Sequence, residues 1–272
     1  MLLLPADFLV SAFRHLAPAG WGSGLLLSAL LLLWRPVRAQ QNLFNIPAGD
    51  LTPANKFFFQ QQVNILSRQD FESKSHLVYG LGRGWEVGLN VINVKMDFRR
   101  RAELFAVNDG DRSRPMKPLL QATGQKFFYF GPHVKTSVGT QLGVNPVRLR
   151  GENRLTHFTY NTWMWEPRPH VKFVAGPYLS DRGTVGRGNQ AGMLLGFEAP
   201  VAKKWVLMGD VITGTNANAV SVLGFNYLAT KRVQLCLGAM LPNPRSQNSA
   251  GVVFELNLLG YDDSSEAAPT HR

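Results

Sequence analysis

Apolar and polar residues alternate along most of the chain from Phe57 to Leu258, in about a dozen segments of roughly ten residues each. In residues 85–91 (WEVGLNV) the odd-numbered positions are apolar, and the even-numbered ones are Glu86, Gly88 and Asn90. Because successive side chains of a strand point to opposite faces, this period of two predicts β-strands with one apolar and one polar face. Segments of this kind are typical of strands that cross a membrane as a barrel.

We predict strands at residues 57–66, 71–81, 84–94, 118–127, 133–143, 154–165, 169–179, 189–199, 203–213, 217–228, 231–241 and 250–259. The predicted fold is all-β, an antiparallel up-and-down transmembrane β-barrel of about 12 strands. Short and long links alternate, and the even count places both termini at the short-link end, which faces the periplasm in bacterial barrels. In the fourth strand Gln121 and Gln125 lie opposite Lys126, which predicts a bulge there.

The tryptophans downstream of residue 40 all lie close to short links. They are Trp85, Trp163, Trp165 and Trp205. In an up-and-down barrel these positions share one plane, where an aromatic girdle would meet the lipid headgroups. A secreted β-sandwich is the alternative, but nothing in a sandwich would select for that plane.

The first 39 residues have the features of a signal peptide. Gly24–Trp34 (GLLLSALLLLW) is an apolar run, and Val37-Arg38-Ala39 suits cleavage before Gln40. A transmembrane helix is the competing interpretation, but the run would span only about 16 Å, roughly half a bilayer core. We therefore divide the chain into a signal peptide (1–39), an N-terminal periplasmic segment (40–56), a barrel domain (57–259) and a polar C-terminal tail (260–272).

The hairpin periodicity, the leader, the girdle and the closing residues 251–256 (GVVFEL) together resemble Gram-negative outer-membrane β-barrel proteins of the porin-like kind, of no specific subfamily. The resemblance implies location in the outer membrane and contact with its lipid and lipopolysaccharide. Such proteins commonly end on an aromatic residue, whereas this chain continues into YDDSSEAAPTHR, residues 261–272.

The chain is basic, with a formal net charge of +11, and its arginines concentrate in the long links. The candidate outer basic loops contain Arg99, Arg100, Arg101, Arg112, Arg114, Arg148 and Arg150. Arginine pairs well with phosphate and carboxylate, so lipopolysaccharide or small anionic solutes are candidate partners, and an ordinary solvated loop surface is the alternative. Export disfavours nucleic acid as a partner. The link from Lys95 to Lys117 is long enough to fold inward as a constriction.

The polar faces of the predicted strands collect charges of both signs. The candidate lumen-lining residues are Lys74, His76, Glu86, Lys135, His157, His170, Lys172, Glu198, Asp210 and Glu255. They would form either a ladder of ion pairs that stiffens the barrel or a polar conduit. Barrels of about eight strands are filled and those of about sixteen are open, so about twelve predicts a narrow or partly plugged lumen.

Catalytic and metal-binding patterns are weak. Ser137, His157 and Asn161 are the only hydrolase-like set, and histidines 76, 157 and 170 are scattered on separate segments. We predict no enzyme, no metal and no cofactor. Cys236 is the single cysteine, so no internal disulfide forms and the thiol is expected to be a small packing residue.

The sequence therefore predicts a narrow porin-like channel for small polar or anionic solutes. The alternative is a non-conducting structural or surface-interaction barrel whose basic loops bind lipopolysaccharide or a partner.

Overall fold

The computed structural model describes residues 42–47, 50–68, 70–97, 118–144 and 155–262. The predicted signal peptide, most of the polar tail and the basic loops lie outside these residues. The described strands are β1 (Phe57–Ser67), β2 (Asp70–Gly82), β3 (Trp85–Asp97), β4 (Leu119–Tyr129), β5 (Val134–Val144), β6 (Leu155–Arg168), β7 (Val171–Ser180), β8 (Ala191–Ala202), β9 (Trp205–Ile212), β10 (Val220–Leu228), β11 (Val233–Pro242) and β12 (Gly251–Leu259). One short helix, α1 (Arg182–Val185), lies between β7 and β8.

Each strand pairs antiparallel with its neighbours in the chain, and β12 pairs with β1 to close the barrel. The closing register runs from Phe58 opposite Leu259 to Ile65 opposite Val252. The prediction of a twelve-stranded antiparallel up-and-down barrel is therefore confirmed. Closure leaves no strand edge unpaired, which is the condition for a sheet to cross a bilayer.

The alternation of the sequence separates the two faces of the sheet. Large apolar side chains such as Leu89, Leu142 and Leu237 are exposed on the outside, between 57% and 59%. On β3 the alternate residues Glu86 and Asn90 are buried inside the barrel. An apolar exterior around a partly polar interior is the reverse of a soluble globular domain and matches a barrel solvated by lipid.

The fourth strand contains no bulge, contrary to our prediction. Its pairing with β3 and β5 is continuous, and Lys126 faces outward while Gln125 faces inward. The ammonium group of Lys126 donates to the carbonyl of Arg83 and lies 5.2 Å from the ring centroid of Trp85. An outward lysine close to a turn needs no register shift, because its long side chain extends to the polar interface.

Aromatic side chains surround the barrel at its short-link end. The four tryptophans proposed as a girdle are between 45% and 54% exposed and lie near the short-link ends of β3, β6 and β9. Neighbouring rings contact them, such as Phe130 at 5.5 Å from Trp163 and Tyr227 at 4.8 Å from Trp205. This end of the barrel therefore carries amphipathic rings around much of its circumference.

No helix in the described part of the chain is long and apolar enough to cross a membrane.

Candidate functional site: a lumen occupied by the N-terminal segment

The residues that precede the first strand fold back into the barrel. Residues 42–47 form a tight turn in which Asn42 and Pro47 bridge and the N–H of Leu43 donates to the carbonyl of Ile46 at 2.9 Å. The side chains of Leu43, Phe44 and Ile46 are at most 2% exposed. The described part of the predicted N-terminal segment, residues 40–56, thus folds back against the inner wall of the barrel. These apolar side chains lie in the lumen, where they escape water.

Residues 42–47 and 50–56 are called the plug here, and residues 42–47 are its tip. The inner wall is shaped for this apolar tip. At mid-height the strands β6–β12 present inward apolar side chains, among them Leu194, Met208, Val222, Cys236 and Val253, which form one buried cluster with the tip. Cys236 is thus a packing residue, as its isolation predicted. Burial of three large apolar side chains supplies most of the free energy that holds the plug.

Two inward glycines provide the space that the tip occupies. A Cβ atom on Gly196 would collide with Cδ1 of Leu43, and one on Gly238 would lie 2.8 Å from Cζ of Phe44. At distances this short, neither position has room for a side chain larger than that of glycine. The wall and the plug are therefore complementary in shape at Gly196 and Gly238.

The polar atoms of the plug tip also have partners on the wall. Asn45 donates from its backbone N–H and, at 3.2 Å, from its side chain to the carboxylate of Asp210. Asn42 donates to Oε1 of Gln60 at 3.2 Å. Because a buried polar group without a partner is costly, these hydrogen bonds allow the tip to sit deep in the barrel.

An ion cluster holds the plug nearer to the short-link end. Asp50 accepts from Lys135 at 3.0 Å and from Lys172, and Lys172 also lies 2.8 Å from Glu198. Two cations thus alternate with two carboxylates, one of which belongs to the plug. This cluster, the latch, joins residue 50 to strands β5, β7 and β8.

The charge state of Asp50 follows from these neighbours. Burial opposes ionisation of its carboxyl, but Lys135 and Lys172 together outweigh burial and lower its pKa from 3.8 to about 2. The carboxylate is therefore ionised at any physiological pH, and its attraction to Lys135 and Lys172 is fully present there.

A second polar contact fixes the plug close to β3. Glu86 accepts from the backbone N–H of Thr52 at 3.0 Å and from the amide of Gln125, whose Oε1 in turn accepts from the hydroxyl of Tyr160 at 2.6 Å. This chain of hydrogen bonds crosses from β3 and β4 to β6 beside the plug. Glu86 therefore binds the backbone of the plug and does not line an open conduit.

The plug leaves one polar cavity of about 130 Å³ within the described part of the lumen. It lies between the plug and the wall of β1–β5, and eleven of the residues that line it are Asn or Gln. At roughly 30 Å³ per water molecule this space holds about four waters.

At the long-link end, two links pack together over the barrel mouth. Asp181 caps α1 by accepting from the N–H of Thr184 at 2.8 Å, and the carbonyl of Val185 accepts from Ala217 in the β9–β10 link at 2.9 Å. Asn216 is fully buried and donates to Tyr178 at 2.9 Å. These links narrow the outer mouth, and Thr184 and Ala217 line the cavity from above.

Eight of the ten candidate lumen residues lie on the inner face, namely Lys74, His76, Glu86, Lys135, Lys172, Glu198, Asp210 and Glu255. Five of the eight contact the plug directly, namely Lys74, Glu86, Lys135, Lys172 and Asp210. The charged residues of the lumen therefore contact one another and the inserted segment, and Asp50 of that segment lies at the centre of the ion cluster.

His157 and His170 do not line the lumen, contrary to our prediction. His157 lies opposite Leu142 on the outer face, since its neighbours Thr156 and Phe158 are both buried inside. His170 sits in the two-residue turn between β6 and β7 with φ of 65°, where its N–H donates to Glu166. The prediction rested on the polarity of His157, but the period of two along β6 determines which face its side chain occupies.

The hydrolase-like set does not assemble. Ser137 is buried inside and shares a hydrogen bond of 2.7 Å with Thr162, whereas His157 and Asn161 face outward. The hydroxyl and the imidazole are thus on opposite sides of the sheet, and no proton transfer between them is possible. Among the described residues, no three His, Cys, Asp or Glu side chains converge to hold a metal ion.

The basic loops and the proposed constriction lie outside the described residues, including Arg99, Arg100, Arg101, Arg112, Arg114, Arg148 and Arg150.

The plug is what sequence reasoning missed. Its signal was present in the inward apolar positions of β9–β12, such as Met208 and Val253, which an aqueous lumen does not require.

No protein-family model and no curated protein matches the sequence. Among solved structures, KdgM porin in complex with disordered oligogalacturonate is similar with a TM-score of 0.49 and 7% identity, over 76% of this chain and 98% of that one. Outer membrane phospholipase A from Escherichia coli is similar with a TM-score of 0.42 and 14% identity, over 77% of this chain and 93% of that one. At these values the similarity concerns barrel architecture alone, and the properties in those names belong to those proteins.

Proposed function

We propose that the protein is an outer-membrane channel for small polar solutes that its own N-terminal segment holds closed. The apolar exterior and the ring of tryptophans support location in the membrane. The observation that carries the proposal is the plug itself. A separate segment, which continues into the barrel at Phe57 and whose base pairs with Gly80 of β2, fills a lumen whose remaining wall is polar.

The contacts of the plug favour a removable closure over a permanent core. The tip rests on apolar packing and glycine-sized recesses, and the rest is held by hydrogen bonds and by the latch through Asp50. No strand of the barrel is interrupted by the plug, and all twelve strand pairings close without it. Withdrawal of the plug would therefore leave the sheet intact and join the cavity to the space that the tip occupied.

The non-conducting barrel is the second candidate, and one observation favours it. The charged inner residues are largely engaged with one another and with the plug, as the Lys172–Glu198 contact of 2.8 Å shows. In that case the plug is simply the core of the barrel and never leaves.

A reversible crosslink distinguishes the two candidates. Position 196 meets the side chain of Leu43, so a Leu43→Cys, Gly196→Cys pair in a Cys236→Ala background is expected to form a disulfide between plug and wall. In planar bilayers the oxidised protein should be silent, and reduction should produce discrete conductance steps. The Cys236→Ala variant alone is the control for the reductant.

Silence of the reduced protein, with a heat-modifiable mobility that demonstrates a folded barrel, would reject the channel and support the non-conducting barrel. Steps in both redox states would mean that solutes pass beside a fixed plug.

A further inference from the structure

The cavity beside the plug has a composition that specifies its ligand. Its wall contains the carboxamides of Gln60, Gln62, Asn64, Asn90 and Gln125, and the plug adds that of Asn45. The acidic and basic residues among the lining are Glu72, Glu86, Lys74 and His76, so their formal charge sums to −1 when the imidazole is counted as neutral. The lining is therefore rich in neutral groups that both donate and accept hydrogen bonds, and it has no excess of cations.

Two buried polar atoms on this wall lack partners and have opposite requirements. Nε2 of Gln60 is a donor without an acceptor, although its Oε1 is engaged by Asn42. Oε1 of Glu72 is an acceptor without a donor, while its Oε2 accepts from Asn64 at 3.4 Å. Both residues line the cavity, and Gln60 is 2% exposed.

A single class of group suits either atom, although the two atoms lie apart because Glu72 pairs with Asn64, four residues along β1 from Gln60. A carboxylate accepts from Gln60 but is repelled by Glu72, and an ammonium donates to Glu72 but offers nothing to Gln60. A hydroxyl donates and accepts, and a molecule with several hydroxyls does so at several points. The volume of about 130 Å³ limits such a molecule to a few carbon atoms.

We infer that the amide-lined cavity is a binding site for a small neutral polyhydroxylated solute, and that this class crosses the barrel in preference to anions of the same size. The inference rests on the proposed function, because a solute crosses the whole barrel by way of the cavity only when the plug moves.

The test compares three solutes with one carbon skeleton, namely glycerol, the glycerate anion and the cation of 3-aminopropane-1,2-diol. Efflux of each labelled solute is measured from vesicles that contain the full-length protein, either wild type or Phe44→Ala with a weakened plug, and the rate from protein-free vesicles, through which glycerol leaks unaided, is subtracted. We expect glycerol to leave roughly ten-fold faster than glycerate, since the charged solute must be desolvated beside Glu72 and finds no compensating excess of cations.

A matched pair of substitutions tests the site. Gln60→Leu removes the unpartnered donor and also the acceptor of Asn42, so both substitutions are made in the Phe44→Ala protein, whose plug is already weakened. Gln61→Leu alters the adjacent residue, which lies on the alternate, outward face of β1. Loss of one hydrogen bond to the solute should slow glycerol efflux roughly five-fold in Gln60→Leu and leave it unchanged in Gln61→Leu.

The outcomes separate the inference from the function on which it rests. Glycerate efflux as fast as that of glycerol, passage of water alone, or an unaltered glycerol rate in Gln60→Leu would overturn the inference while the channel stands. Absence of efflux for all three solutes from both proteins, with folded barrels present, would overturn the channel itself.

Discussion

Phe44 is the residue whose removal most directly tests the plug. Its ring is 2% exposed, it belongs to the buried cluster with Met208 and Cys236, and its edge lies where a side chain at position 238 would have to be. Phe44→Ala removes the ring from the tip and leaves every residue of the barrel wall in place.

The magnitude follows from burial. Truncation of a buried phenylalanine to alanine costs about 3 kcal/mol, and this cost falls on the inserted state because the withdrawn tip is already in water. Each 1.4 kcal/mol changes an equilibrium ten-fold, so the ratio of withdrawn to inserted plug should rise on the order of 100-fold. The open fraction of single channels in planar bilayers measures this ratio.

The control is Phe254→Ala, which removes an aromatic ring of the same size from the lipid-facing side of β12. It should lower the stability of the barrel slightly and leave the open fraction at the wild-type value. If Phe44→Ala folds and conducts no more than Phe254→Ala does, burial of the tip does not govern closure and the reasoning fails.

Three further predictions concern the latch, the recess and the exterior. Because the pKa of Asp50 is lowered to about 2, its attraction to Lys135 and Lys172 stabilises closure above about pH 4 and is lost as the pH falls towards 2. Conductance of the wild type should therefore rise between about pH 4 and pH 2, and this rise should be absent in Asp50→Asn. Gly196→Val should expel Leu43 and raise conductance, whereas Gly124→Ala, which meets nothing within 4 Å, should not. Leu237→Lys, on the exposed outer face, should lower the free energy of unfolding in lipid vesicles by about 2 to 4 kcal/mol, and a change within about 0.5 kcal/mol would argue against a membrane location.

Much of the fold was predictable because one local rule governs it. The period of two assigns Leu89 outward and Asn90 inward with no knowledge of the partner strands, and the same rule corrects His157. The rule failed only where polarity was given more weight than position. The predicted bulge at Lys126 failed for the same reason, since a lysine near a turn can extend along the outer surface to polar groups.

The candidate site was predictable only in part. The inward charges of Lys135, Lys172 and Glu198 were identified from their strands, but their common partner Asp50 lies outside any strand and has no period to reveal its place. The recess at Gly196 depends on strands that are paired in space and on a tip more than a hundred residues away in the chain.

The sequence by itself thus determined that the chain forms a barrel, which face of most strands meets lipid, and which end carries the aromatic rings. These properties follow from alternation and link length, which are local. Only the tertiary structure decided that the N-terminal segment fills the lumen and that an amide-lined cavity remains beside it. Complementarity between an irregular segment and a curved wall depends on contacts between distant residues, and no local pattern records them.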